Sequence, residues 1–128
     1  MADSIIEHLQ REWELVWENE SPDANFAAQT LSLDLSKYRF VRIEAAFTTA
    51  TFLTSITDIS IDQGISYLVV FNTTFYSTST GTPRLYTRKA DVTTTGITFS
   101  TGYYKNTNGT AAPTKGTNYI IPRRIWAR

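Results

Sequence analysis

The sequence of 128 residues contains no cysteine, one histidine (His8) and one methionine (Met1). The absence of cysteine excludes disulfide scaffolds, thiolate zinc sites, iron–sulfur clusters and thiol nucleophiles together. A single histidine excludes His pairs and His-rich metal sites. No run of about 18 apolar residues is present, so no helix of this chain is expected to span a membrane. The opening MADSIIEHLQREWE has neither the basic leader nor the apolar stretch of a secretory signal, which predicts synthesis in a cytoplasm without export. An excess of charge is also missing. Twelve Lys and Arg offset twelve Asp and Glu, and at 19% charged residues the chain is not a disordered polyelectrolyte. At 14.5 kDa it is expected to form one domain that buries roughly two-thirds of its unfolded surface without a metal or disulfide.

What the chain has in abundance is small hydroxyls: 21 Thr and 10 Ser. Threonine is β-branched and, with the many Tyr, Phe, Ile and Val, fits a pleated, half-exposed surface. The start differs. Asp3 or Ser4 can cap a short helix in which Ile5, Ile6, Leu9 and Trp13 recur at three-to-four spacing. Residues 1–12 are assigned to this helix, too short to be stable alone and so needing a partner in its own domain or a neighbouring subunit. Residues 13–128 are assigned to a β domain.

From Trp13 the period becomes two, with Trp13, Leu15 and Trp17 on one side and Glu12, Glu14, Val16 and Glu18 on the other. Leu31, Leu33 and Leu35, then Val41, Ile43, Ala45 and Phe47, mark the next two strands. Residues 52–61 hold another, and 65–76 a long one whose Leu68 to Phe71 run is expected to be buried on both faces. Segments 83–92 and 96–104 follow, joined by a turn over 93–96. YIIPRRIWAR closes the chain, with Pro122 on an edge or at a bulge. About eight short strands without βαβ alternation predict an all-β antiparallel sandwich of jelly-roll-like type, preceded by the short helix. Residues 1–64 carry 11 acidic and 4 basic side chains, and residues 65–128 carry 1 and 8. Interleaved strands should cancel much of this asymmetry; if they do not, it favours head-to-tail contacts between copies.

Each catalytic or metal pattern meets an obstacle. Asp58, Ser60 and Asp62 have the spacing that opens a calcium loop, but Gln63 and Val69 stand where Gly and a carboxylate are required, which leaves only a looser site open. GTAAPTKG, residues 109–116, has neither the spacing nor the strand-to-helix context of a phosphate loop. Glu12 with Glu14, or Glu18 with Glu20, would lie ~6.5–7 Å apart on one strand face, within the range of an inverting glycosidase. Nothing nearby holds a proton on either, and the bland reading is a solvated strand face. His8 reads as a surface or interface group. Arg84, Arg88, Lys89, Arg123, Arg124 and Arg128 form a candidate basic patch, yet a neutral chain without a nucleic-acid motif does not predict duplex binding.

Phe40, Phe47, Phe71 and Phe99 fall on the inward phase and read as core. Tyr76 beside STSTGT, and Tyr103 and Tyr104 ahead of Lys105, Asn106 and Asn108, sit by turns. Aromatic faces rimmed by amides and hydroxyls suit a sugar ring. With Arg84 these supply the candidate ligand-binding set Tyr76, Arg84, Tyr103, Tyr104, Asn106 and Asn108.

WELVWENESPDANFAAQTLSLDLSKY (residues 13–38), GITFSTGYY and NYIIPRRIWAR together resemble a domain of phage and prophage virion proteins of Gram-positive bacteria, usually placed at the C-terminal end of tail or head fibre proteins. The resemblance spans most of residues 13–128 and rests on the spacing of Trp, FAAQT, LDLS and YIIP. It departs at Trp126, Ala127 and Arg128, where the usual pattern has Gly and Lys. It implies a non-enzymatic structural or adhesive role in a virion and transfers no binding residue.

The expectation is therefore a phage fibre or receptor-binding module presenting loops 76–83 and 103–118 to a host cell-wall polysaccharide. A capsid or tail decoration protein binding other virion proteins is the first alternative. A non-phage carbohydrate-binding module and a glycan-cleaving enzyme follow. Met1 is compatible with a complete small gene product. Ile5, Ile6, Leu9, Trp13, Trp17 and Trp126 are the expected contacts of a homo-oligomer, a trimer first. No cofactor, metal, nucleic acid or membrane insertion is expected.

Overall fold

A computed structural model describes residues 4–48, 54–77, 82–107, 110–117 and 119–128. Among the described residues one helix, α1 (Ile5–Gln10), precedes ten strands: β1 (Glu14–Glu18), β2 (Gln29–Ser32), β3 (Phe40–Thr48), β4 (Thr54–Ser60), β5 (Tyr67–Ser77), β6 (Thr82–Thr93), β7 (Gly96–Phe99), β8 (Gly102–Asn106), β9 (Thr114–Gly116) and β10 (Tyr119–Ala127). Ser4 caps the helix, its Oγ accepting from the Glu7 amide at 3.1 Å, which satisfies one of the N–H groups a helix start leaves without a partner.

One antiparallel sheet runs β1-β10-β3-β4. In the other, β6 pairs with β5 along one side, and along the other side with β8 near its start and β7 near its end. β7 and β8 are interrupted only at Ser100 and Thr101, and they pair outward with β2 and β9. The larger sheet is thus four rows wide and packs on the four-stranded one, giving the all-β sandwich with a leading helix that the sequence predicts. β10 returns to lie between β1 and β3, the Greek-key crossing on which jelly rolls are built.

Alternation builds the core. Val41, Ile43, Ala45 and Phe47 of β3, Val69 and Phe71 of β5, Val92 of β6, and Ile97 and Phe99 of β7 are all buried. Phe40, expected on the inward phase, is only half-buried: it alternates with the buried Val41 and Ile43 and so lies on the outer face with Arg42, its ring centroid 6.0 Å from the Arg128 guanidinium. Arg88 is also inside, 1% exposed. Its guanidinium donates to the carbonyls of Phe26, Ser100, Tyr119 and Ile120 and lies 5.1 Å from the Phe26 ring centroid. Burial lowers its pKa to about 10.

Three further expectations are corrected, and the alternative left open for Pro122 is decided. Leu68 and Val70 are exposed and only Val69 and Phe71 are buried, because the larger sheet is covered on one face only. In β1 the register shifts between Leu15 and Trp17, so the phase breaks: Leu15 faces solvent while Val16 and Trp17 pack on the core. Pro122 lies in an interior strand beside a register shift before Arg124, so the bulge, not an edge, accommodates it. Lastly, His8 is buried, while Ile5, Ile6 and Leu9 face out. The helix is fixed by its polar side: Arg128 Nη1 donates to the carbonyls of Leu9 and Arg11 at 3.1 and 3.3 Å, and its guanidinium lies 4.4 Å from the Trp13 ring centroid.

The charge asymmetry cancels in part, because Arg123 and Arg124 of β10 meet Asp23, Glu18 and Glu44 of the first half, but it persists on the larger sheet. The strands of the larger sheet come mostly from the second half of the chain and carry Arg84, Arg88, Lys89, Lys105 and Lys115 against Asp91 alone.

Candidate functional site

Register places Arg84 of β6 opposite Asn106 of β8, and Tyr86 opposite Tyr104. Cross-strand partners share a face, so three of the expected ligand-binding residues meet. Arg84 Nε donates to Asn106 Oδ1 at 3.2 Å, and the guanidinium lies 5.4 Å from the Tyr104 ring centroid. Behind them the aromatic core continues. Tyr104 meets Tyr119 edge-on at 5.1 Å, Tyr119 meets Tyr86 at 5.2 Å, and Tyr86 meets Phe47 at 4.3 Å. The Thr107 amide donates to the Pro83 carbonyl at 3.0 Å and ties the end of β8 to β6. The terminal nitrogens of Arg84 take no protein acceptor among the described residues. They can donate to a hydroxyl, carboxylate or phosphate oxygen.

The remaining expected residues separate. Tyr103 is on the opposite face from Tyr104, in register with Thr87 and Lys115, so the two tyrosines do not form one platform. Tyr76 pairs in register with Pro83, next to Arg84 in sequence. Asn108 lies outside the described residues, as do 78–81, 109 and 118 of the two expected loops.

Of the expected assembly contacts, Ile5, Ile6 and Leu9 are exposed together. Trp13 is held between the guanidinium groups of Arg42 and Arg128, each 4.4 Å from its ring centroid. Trp126 lies on the outer face of the smaller sheet and donates to Glu44 Oε1 at 3.1 Å. Trp17 turns inward, its ring edge-on to Phe26 at 6.1 Å. The bulge at Val16 therefore separates Trp17 from the other two indoles.

Four of the carboxylates singled out by spacing, Asp58, Asp62, Glu14 and Glu18, have protein partners. Asp58 receives Nε and Nη2 of Arg42 at 2.7 and 2.9 Å, which holds its carboxyl below the usual range. Asp62 accepts from Tyr67 at 2.6 Å and lies 3.6 Å from Arg39. Glu14 accepts from Tyr38 at 2.6 Å, and Glu18 from Arg124 at 3.0 Å. Among the described residues no three His, Asp or Glu converge on a metal position. The candidate basic patch is dispersed too. Arg88 is in the core, Arg124 bonds Glu18 and Glu44, and Arg128 bonds the helix.

Sequence reading missed a cleft of about 350 Å³ at the opposite end of the sandwich, lined by Ser32, Leu33, Asp34, Ser36, Gln63, Thr94 and Thr95. Asp34 Oδ1 accepts from the Ser36 hydroxyl at 2.6 Å and its amide at 3.1 Å, which lowers the Asp34 pKa. Thr94 donates to Gln63 Oε1 at 3.3 Å. Three separate connections supply these residues, so no single motif announces them. A second cleft of about 380 Å³ is lined by Glu18, Asn19, Glu20, Pro22, Arg123 and Arg124. No family model, curated protein or solved structure matches the chain.

Proposed function

We propose that the chain is a phage virion adhesion protein, a fibre or receptor-binding module that holds a host cell-wall polysaccharide and acts by binding, not turnover. The observation that carries this reading is the junction of the Arg84 guanidinium, the Tyr104 ring and the Asn106 amide at the end of the larger sheet where β6 starts and β8 finishes. A guanidinium with unused donors, an amide and a partly exposed ring give hydrogen bonds to sugar oxygens and apolar surface for sugar C–H groups. Phosphate-bearing wall polymers gain most from Arg84. The resemblance of residues 13–38 and of the closing segment to phage virion domains supports a place on the particle. So small a site binds weakly alone, in a range of about 1 mM, and repeated copies on a homotrimer and on the particle supply avidity.

A capsid or tail decoration role is the second reading, favoured by the exposed Ile5, Ile6, Leu9, Leu68 and Val70, which suit protein partners better than sugars. An array of neutral and phosphate-bearing Gram-positive wall polysaccharides separates the two. The adhesion reading predicts binding that falls about tenfold or more in R84A/N106A. Binding to purified capsids or tails with no glycan bound would replace it by decoration. Sedimentation at micromolar concentration should show the trimer, and a stable monomer would contradict it. Flanking tail, capsid and lysis genes distinguish either virion role from a non-phage carbohydrate-binding module.

A further inference from the structure

The two outer faces of the sandwich differ in how their charges are matched. On the smaller sheet, Arg42 bonds Asp58, and Arg124 bonds Glu18 and Glu44. On the larger sheet, register brings Val70 beside Lys89 and Leu68 beside Asp91, and Lys105 and Lys115 lie on the same side, opposite Leu85 and Tyr103. None of these lysines makes an ion pair among the described residues. Leu68 is 59% and Val70 46% exposed, on a strand whose other edge has no partner among the described residues. This face is apolar and basic. The helix is its counterpart, with Ile6 66% and Ile5 52% exposed beside Glu7, while Glu12 follows shortly after, and neither carboxylate makes an ion pair among the described residues.

We infer that α1 of one copy docks on the outer face of the larger sheet of the next copy, placing Ile5, Ile6 and Leu9 over Leu68 and Val70 and the acidic residues toward Lys89. This deepens the homo-oligomer of the proposed function and rests on it. Charge decides the geometry. Pairing two helices would set Glu against Glu, and pairing two large sheets would set Lys against Lys, whereas helix on sheet matches both charge and apolar surface. Such a contact uses different patches on the two copies, so it closes into a ring when the rotation allows, three copies included.

The absence of cysteine makes the test direct. I6C and V70C are purified separately as full chains, mixed, and treated with a short bis-maleimide. Both positions are exposed, so neither change disturbs the core. The expected result is a crosslinked dimer in the mixture and none in either protein alone, with the yield falling several-fold when K89E is added to the V70C chain and again as salt is raised. Self-crosslinking of I6C would establish helix-to-helix pairing and overturn the inference. A mixture that stays uncrosslinked, or a yield indifferent to K89E, would overturn it as well. Neither surface includes Arg84, Tyr104 or Asn106, so glycan binding can survive the failure of this contact.

Discussion

Arg88 is a cation in the core whose partners are four backbone carbonyls and no carboxylate. Those carbonyls belong to segments far apart in sequence, so one side chain fastens the loop at Phe26, the break between β7 and β8, and the entry to β10. Ile120, one of the four, has φ 52°, a conformation that strains a β-branched residue. Its burial and the Arg88 bonds offset that strain. Replacing Arg88 by Met would leave the carbonyls without donors and should lower stability by about 3–5 kcal/mol, read from urea unfolding. Tyr38 supplies a second test. Burial first, and the hydrogen bond to Glu14 next, push its hydroxyl up to about 12. The folded state therefore keeps this proton where the unfolded chain releases it, and the stabilisation, complete below pH 10, is lost between pH 10 and 12. Y38F should remove the late step of the tyrosine absorbance titration and flatten the fall in stability across that window. A second side chain, Tyr67, is also raised, by Asp62, so Y67F serves as the control.

The strands show which elements are legible in a sequence and which are not. β3 alternates from Val41 to Ala45 because one of its faces is covered there, and Val41, Ile43, Ala45 and Phe47 announce it, while the burial of Ala46 on the other phase is not announced. The Ser4 cap is equally plain. The apolar run at Leu68 to Phe71 misleads, because it does not reveal that one of its faces is left open. Nor does spacing reveal a bulge, so the shift at Val16 reversed the expected direction of Trp17. Helix periodicity marked Ile5, Ile6 and Leu9 as one stripe but not that the helix would attach through His8 and Arg128. The candidate site was legible residue by residue at Arg84, Tyr104 and Asn106, and the split of Tyr103 from Tyr104 was legible too, because consecutive residues of the strand expected over 96–104 face opposite sides. Glycine has a defined role at one turn. A Cβ on Gly96 would collide with the Leu31 carbonyl where β2 pairs with β7. G96A should therefore cost about 1–3 kcal/mol and shift the thermal midpoint down.

For the whole molecule, the separation of charge between the two halves of the chain survives folding in part: β10 carries Arg123 and Arg124 to the acids of the first half, while β5 to β9 stay together in one sheet. A basic, partly apolar face on that sheet and an acidic, apolar helix elsewhere give each copy two unlike surfaces, suited to assembly in one direction. In the proposed arrangement the end of the sandwich that holds Arg84, Tyr104 and Asn106 takes no part in the helix-on-sheet contact and stays open to a ligand. On the adhesion proposal, several weak sites on one assembly would act together. The most direct measurement is surface plasmon resonance on immobilised host cell-wall polysaccharide, comparing the wild-type chain with R84A/N106A. The adhesion account predicts saturable wild-type binding that leaves the polysaccharide intact, with an apparent affinity reduced about tenfold or more in the variant; equal binding by both proteins, or cleavage of the polysaccharide, would contradict it.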